Sequence, residues 1–302
     1  MNRFCELVGV ERPLQQAAMT RVTTPALVAA VSNAGALGML AVGRTPPATV
    51  NTQLDEIGAL TDQSFGAGFI VRYLNRDTLE AVAERVKVIE FFYDWPDPAL
   101  ILPGTTTGWQ IGSVDEAKAA ADAGCKFVIA QGIEAGGHVR STTPLVALLS
   151  DVRAAVDLPV VAAGGIGNSA DVQAAFALGA DAVRIGTRFL GSFEADIHLT
   201  YQRLLLAAEA DDTEFTGVFD VGWPDAPHRV LASAVAAAIS AGPDPVAYVG
   251  EMEVPRRSST PPNSKTVGQI EAMALYAGRS VGSVRMIQSA ASIVDELLQG
   301  VS

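Results

Sequence analysis

The sequence predicts an α/β fold: a (β/α)8 TIM barrel with a smaller, mainly helical C-terminal cap. Three observations predict it. Eight short apolar or β-branched runs alternate with Ala-rich amphipathic stretches over about the first 190 residues, the rhythm of a barrel. Those runs are mainly apolar rather than regularly alternating, as in strands of a parallel sheet covered on its outside. The chain has 302 residues, enough for a barrel of about 250 residues plus a cap. An open, doubly wound sheet is the alternative.

In chain order the strands are expected at Leu14–Met19, Leu37–Val42, Gly66–Val71, Val86–Tyr93, Gly108–Ile111, Phe127–Gln131, Val160–Ala163 and Val183–Ile185. The helices are expected at Pro25–Asn33, Pro46–Leu60, Arg76–Arg85, Val114–Ala123, Pro144–Val156 and Ser169–Leu178. Between the fourth and fifth strands Trp95–Pro103 is short and proline-rich, so the fourth helix has the least support. Thr24-Pro25, Thr45-Pro46 and Thr143-Pro144 each place a capping hydroxyl before a proline at the first helical position. Ser113 to Glu116 reads as a capping box, and Gly124 and Gly179 suit helix ends. The stretches ending in Gly124-Cys125 and Gly179-Ala180 echo each other at a constant offset, as repeated βα units do.

Ala195–Ala208 is the candidate eighth helix. Beyond it, Glu209–Lys265 is richer in Asp, Pro and Ser, and Val267–Leu298 looks helical with breaks at Gly278 and Gly282. The expected organisation is a barrel over residues 1–208 and a cap over 209–302, packed together.

Apolar residues make up 49% of the chain and charged residues 18%, which excludes a disordered polymer. The net charge of −12 argues against nucleic acid and anionic membranes as partners. Val22–Gly43 carries no charge, but its Pro25, Asn33 and three glycines fit a buried helix and strand better than a membrane span. Cys5 and Cys125 form no disulfide framework and no metal spacing, and no secretory signal opens the chain; a cytoplasmic location fits.

Barrel active sites lie at the C-terminal ends of the strands, and three such ends stand out. Ala162 to Asn168 closes strand seven with Gly164-Gly165, and Arg184-Ile185-Gly186-Thr187 closes strand eight. Loops after strands seven and eight commonly share a phosphate. Gln131-Gly-Ile-Glu-Ala-Gly-Gly-His138 follows strand six and sets a histidine beside Gly136 and Gly137. Histidine moves protons near neutral pH, so His138 is the candidate catalytic residue. Surface or structural roles are expected for His198 and His228. No two histidines lie at a metal-ligand spacing, and no catalytic metal is expected. At the end of strand one, Ala17-Ala18-Met19 would let a flat ring approach the backbone.

Together these segments resemble the nitronate monooxygenase family, FMN-dependent (β/α)8 barrels also called 2-nitropropane dioxygenases. The resemblance runs from about Arg12 to Leu190, with a weaker echo over Tyr276–Gly282; its most specific part, Gln131–His138, is shared with flavin-dependent enoyl-acyl carrier protein reductases. The resemblance implies FMN as cofactor. Gln131, Gly136 and Gly137 would contact it. Gly164 and Gly165 would hold its phosphate with the backbone of Arg184, Ile185, Gly186 and Thr187. Ala17, Ala18 and Met19 would flank its ring, and His138 would be the base. Three departures stand out: Ala18 replaces a usual proline, Arg184 a usual glutamine, and Gly66-Ala67-Gly68 lacks a usual asparagine.

The implied reaction is oxidation of an alkyl nitronate, or of a nitroalkane first deprotonated by His138, to a carbonyl compound and nitrite. Its partners would be a small molecule and O2. An NAD(P)H-dependent flavin reductase on the same barrel, and a non-redox phosphate-binding barrel, are the alternatives.

Overall fold

The structure is a computed structural model that describes residues 2–43 and 45–301. Its central feature is an eight-stranded parallel sheet: β1 (Leu14–Gln16), β2 (Gly38–Ala41), β3 (Phe65–Ile70), β4 (Val88–Phe92), β5 (Thr106–Ile111), β6 (Phe127–Gln131), β7 (Val160–Ala163) and β8 (Ala182–Ile185). Sequence neighbours pair from β2 to β8, and β1 pairs with β8. A parallel bridge between Gln15 and Leu37 joins β1 to the β2 side and closes the ring. All eight expected strands are present, and β1 stops at Gln16, three residues short of its expected end.

Side-chain alternation divides the residues into two cores. Val88, Phe127, Ile129, Val161 and Ala182 point into the barrel, while Ile89, Val128, Ala130, Val160 and Val183 face the helices. The N-terminal helix Arg3–Val8 plugs the barrel's lower end. Phe4 and Val8 join the interior cluster, and Phe4 meets Phe127 edge-on at 5.5 Å. The lower interior is therefore closed by apolar packing.

Helices Pro25–Asn33, Pro47–Leu60, Arg76–Ala83, Val114–Ala123, Leu145–Ala155 and Ser169–Ala177 follow the expected pattern. Only a 3-10 turn, Pro98–Leu100, stands where the fourth helix was expected. Val22–Gly43 forms the expected helix and strand, and no helix among the described residues is long and apolar enough to cross a membrane. Thr24 caps its helix as expected, accepting from Leu27 N. Thr45 and Thr143 do not cap theirs. Pro46 precedes Pro47, which favours an extended conformation (ψ 144°) and delays the helix. At Leu145 the backbone N–H is taken by the Glu134 carboxylate instead, at 3.0 Å. Ser113 accepts from Glu116 N, but Glu116 accepts from Gly112 N and pairs with Arg140, so the expected box is only half made. Complete capping boxes are made by Asn168 with Asp171 and, at a 3-10 turn, by Glu209 with Asp212.

The end of the chain departs most from expectation. Val267–Leu298 is not a broken helix. It contains a strand, Thr266–Gly268, two 3-10 turns and one helix, Ala290–Leu297. That helix packs against Pro25–Asn33 and Ser169–Ala177, and its Ile293, Val294 and Leu297 belong to the barrel's outer core. It completes the helical ring, although the expected boundary at residue 208 puts it in the cap. The expected eighth helix, observed as Leu199–Ala207, packs instead with cap residues Phe219, Val230 and Leu275. The cap also holds helix Ala232–Ser240 and two small antiparallel sheets that the sequence pattern did not suggest. One of them joins Ala247–Val249, Met252–Val254 and Thr266–Gly268.

Because Leu297 is fully buried between barrel elements, Leu297→Ala should cost about 2–5 kcal/mol. Denaturant titration should show one transition moved to lower midpoint. An unchanged midpoint would mean that this helix is not part of the barrel.

Candidate active site

Above the apolar plug the interior turns polar. Glu90 on β4 and Arg184 on β8 project across the barrel and pair at 2.5 Å, both nearly fully buried. Gln15 Nε2 donates to the same Glu90 oxygen at 2.8 Å. Burial raises the Glu90 pKa, and the Arg184 guanidinium acts against that rise. Two charges out of water are tolerated only when paired and hydrogen-bonded, which this geometry supplies. Sequence reading left the Arg184 side chain open between a phosphate contact and an outward position. In the structure it lines the cavity and its side chain pairs with Glu90. Glu90 itself was missed, and its signal was a lone carboxylate inside the apolar run Val86–Tyr93.

Glu90 also accounts for the glycine on β3. A Cβ at Gly68 would lie 2.7 Å from Glu90 Oε1 and 2.8 Å from Ala18 Cβ. Ala18, Gly68 and Arg184 thus lie around one buried carboxylate.

This polar layer floors a cavity of about 520 Å3, within the usual range for ligand sites, roughly 300–1,000 Å3. The structure brings twelve of the thirteen expected residues to its wall: Ala17, Ala18, Met19, Gln131, Gly136, Gly137, His138, Gly164, Gly165, Arg184, Gly186 and Thr187. Ile185 is the exception. Strand alternation turns its side chain into the outer core, and its carbonyl accepts from Ala17 N at 2.8 Å.

Two glycine pairs shape the rim. Gly164 and Gly165 have φ of 110° and 74°, a region costly for other residues. Gly136 and Gly278 bring the strand-six loop and the cap backbone together; a Cβ on Gly278 would sit 2.7 Å from Gly136 N. Gly278 N then donates to Thr187 Oγ1 at 3.0 Å, and Arg279 N to the Glu134 carbonyl at 3.0 Å. Glu134, whose role the sequence left open, caps the Leu145 helix.

His138 lies in a two-residue strand, Gly137–His138, that pairs antiparallel with His228–Leu231 of the cap. Gln131 Nε2 donates to the His138 carbonyl at 3.0 Å. Trp223 stacks on the imidazole (3.8 Å, 21°), and Tyr93, Tyr276 and His228 surround it. Burial, with the nearby His228, lowers its pKa to about 3. The ring is therefore neutral at ordinary pH. Two buried polar atoms here, His138 Nε2 and Gln131 Oε1, have no hydrogen-bond partner.

His228 is buried rather than at the surface. Its Nδ1 lies 2.9 Å from the Ala226 carbonyl and its Nε2 accepts from Phe219 N at 3.2 Å, which together define a neutral tautomer. His198 caps the helix that follows it. Both have the structural character expected of them. Tyr93 and Tyr276 were missed as site residues, since the contacts uniting them with His138 span distant parts of the chain.

The depressed histidine pKa has a sign. The unfolded chain takes up protons as pH falls below about 6.5, while the folded chain leaves His138 neutral to about 3. Stability present above pH 6.5 is therefore lost progressively between 6.5 and 3. The denaturation midpoint should fall from pH 7 to pH 4, and less steeply in His138→Gln. Equal slopes would mean that His138 titrates normally in the fold.

Comparison with known proteins follows the same outline. The family model for nitronate monooxygenase matches residues 2–90 and 71–300. A carboxyl-CoA dehydrogenase of Rhodococcus jostii, named for its 5-hydroxy-7a-methyl-1-oxo-octahydro-indene substrate, is 35% identical over 75% of this chain; the match spans 64% of that enzyme. A probable nitronate monooxygenase of Bacillus subtilis is 30% identical, over 72% of this chain and 77% of its own length. Among solved structures, a FabK variant from Thermotoga maritima superposes with a TM-score of 0.82 at 31% identity, covering 99% of this chain and 95% of its own. A nitroalkane oxidase from Streptomyces ansochromogenes gives 0.78 at 27%, covering 98% and 97%.

Proposed function

The chain belongs to the nitronate monooxygenase family, and on that premise we propose that it binds FMN and oxidises alkyl nitronates with O2 to a carbonyl compound and nitrite. The cavity suits such a cofactor. Gly164 and Gly165, with the backbone at Gly186 and Thr187, would hold the phosphate, since a rim without Cβ atoms lets backbone N–H groups approach an anion. The unpartnered Gln131 Oε1 would meet a polar edge of the ring system, and Ala17, Ala18 and Met19 would lie along it. When bound, FMN supplies the redox chemistry, accepting electrons from the substrate and passing them to oxygen.

The carrying observation is the state of His138: neutral, with an unpartnered Nε2, in the wall of that cavity. Neutrality is what a proton acceptor needs. Yet a histidine with a pKa near 3 is a weak base. Taking a proton from a neutral nitroalkane would create an imidazolium in an apolar cage of Trp223, Tyr93 and Tyr276. Only the nitronate formed beside it would offset that cost. A preformed nitronate needs no such step. The geometry therefore favours nitronates over nitroalkanes as substrates, with His138 required only for the latter.

Oxygen uptake and nitrite release by the FMN-loaded protein test this reading without NAD(P)H. The wild type should turn over preformed nitronates faster than the parent nitroalkanes. His138→Ala should lose roughly 10²–10⁴-fold with nitroalkanes, the usual contribution of a positioned base, and far less with nitronates. Equal losses on both would remove His138 as a base.

A second reading is supported by the likeness to the Rhodococcus CoA-ester dehydrogenase: the same flavin site acting on an acyl-CoA. Oxygen uptake absent with every nitronate would favour it.

A further inference from the structure

We propose that Arg21 is a specificity-determining residue that binds an anionic group, a carboxylate in the simplest case, carried on the substrate away from the reacting carbon. This deepens the reading above and rests on it for the identity of the reacting group.

The charge count in the cavity carries the inference. Among the described residues lining it, three carry a strongly acidic or basic side chain: Arg21, Glu90 and Arg184. Glu90 and Arg184 pair with each other, and His138 is neutral. One positive charge remains, in a chain whose net charge is −12. None of its 33 acidic residues forms an ion pair with Arg21 among the described residues.

The local structure presents that charge. Val22 N and Thr23 N both bond to the Met19 carbonyl, and Met19 N donates to Thr23 Oγ1, so the chain turns sharply after β1. Arg21 sits in this turn at φ 67°, a left-handed conformation that a non-glycine residue adopts only when its surroundings impose it. The guanidinium is half-buried. Its hydrogen-bond partner is Met252 Sδ at 3.4 Å, from the cap hairpin. Arginine offers five donors in a planar fork, and a thioether is a weak acceptor. Most of that donor capacity is therefore unused, in a geometry suited to bidentate capture of a carboxylate or phosphate. Burial also lowers the Arg21 pKa, consistent with a partly dehydrated cation that lacks a counter-charge.

Two sources could supply the anion: the substrate or the cofactor's phosphate. The glycine rim at the ends of β7 and β8 already provides for the phosphate, so the substrate is favoured. The test uses FMN-loaded wild type, Arg21→Met and Arg21→Lys. The probes are 4-nitrobutanoate and 1-nitrobutane, which share a 3-nitropropyl group and differ in ending on a carboxylate or a methyl. Binding is read anaerobically from the perturbed flavin absorbance, and FMN affinity from flavin fluorescence.

Wild type should bind 4-nitrobutanoate about tenfold more tightly than 1-nitrobutane, the increment expected of a charged hydrogen-bond pair. Arg21→Met should abolish the preference, Arg21→Lys should keep part of it, and FMN affinity should be equal in all three. A wild type without the preference, or a preference that survives in Arg21→Met, would overturn the proposal. So would a marked loss of FMN affinity in Arg21→Met, which would assign Arg21 to the cofactor phosphate. If neither nitronate supports oxygen uptake, the reaction proposed above fails, and the binding ratio still decides the role of Arg21.

Discussion

The site depends on a backbone meeting. Gly136 and Gly278 pass so closely that neither tolerates a Cβ, and this approach lets the strand-six loop dock onto the cap. Gly137–His138 then becomes an edge strand of the cap's sheet, paired with His228 and Arg229. Arg229 returns two hydrogen bonds to the Ile133 carbonyl. The barrel supplies the floor and most of the wall, the cap closes it with residues such as Trp223 and Tyr276, and His138 touches both. Its burial, its aromatic neighbours and its depressed pKa all follow from this docking.

Electrostatics complete the arrangement. An acidic chain must hold anionic ligands against its own field. It would do so locally, through a glycine rim that exposes backbone, a buried Glu90–Arg184 pair, and the cation Arg21 in the cavity lining. Replacing a buried ion pair by apolar residues often costs nothing in stability. The pair is thus better understood as fixing a polar surface at the cavity floor than as holding the barrel together.

Much of the barrel was legible in the sequence because its signals are local. Apolar runs mark the strands, and Thr24, Gly124 and Gly179 mark helix ends within a few residues of the pattern they terminate. Thr143 failed as a cap because Glu134, eleven residues before Leu145, takes the backbone N–H at that helix end. The cap was largely illegible, since its strands are only three or four residues long, too short to show a period. Ala290–Leu297 looked like cap because only three-dimensional packing reveals that it touches the first and seventh barrel helices. At the site, Gln131–His138 and the two glycine rims stood out as short motifs. Glu90 with Arg184, and Trp223 with His138, come from strands or loops far apart and are unreadable in one dimension.

The most direct test of a flavin site that draws electrons from nitronates is anaerobic. The FMN-loaded protein, mixed with a preformed alkyl nitronate and separately with NADH or NADPH, is followed by flavin absorbance. The account predicts rapid bleaching by the nitronate and little change with either nicotinamide. Bleaching by NADH or NADPH alone, with no response to nitronate, would contradict it and make the protein a reductase on the same barrel.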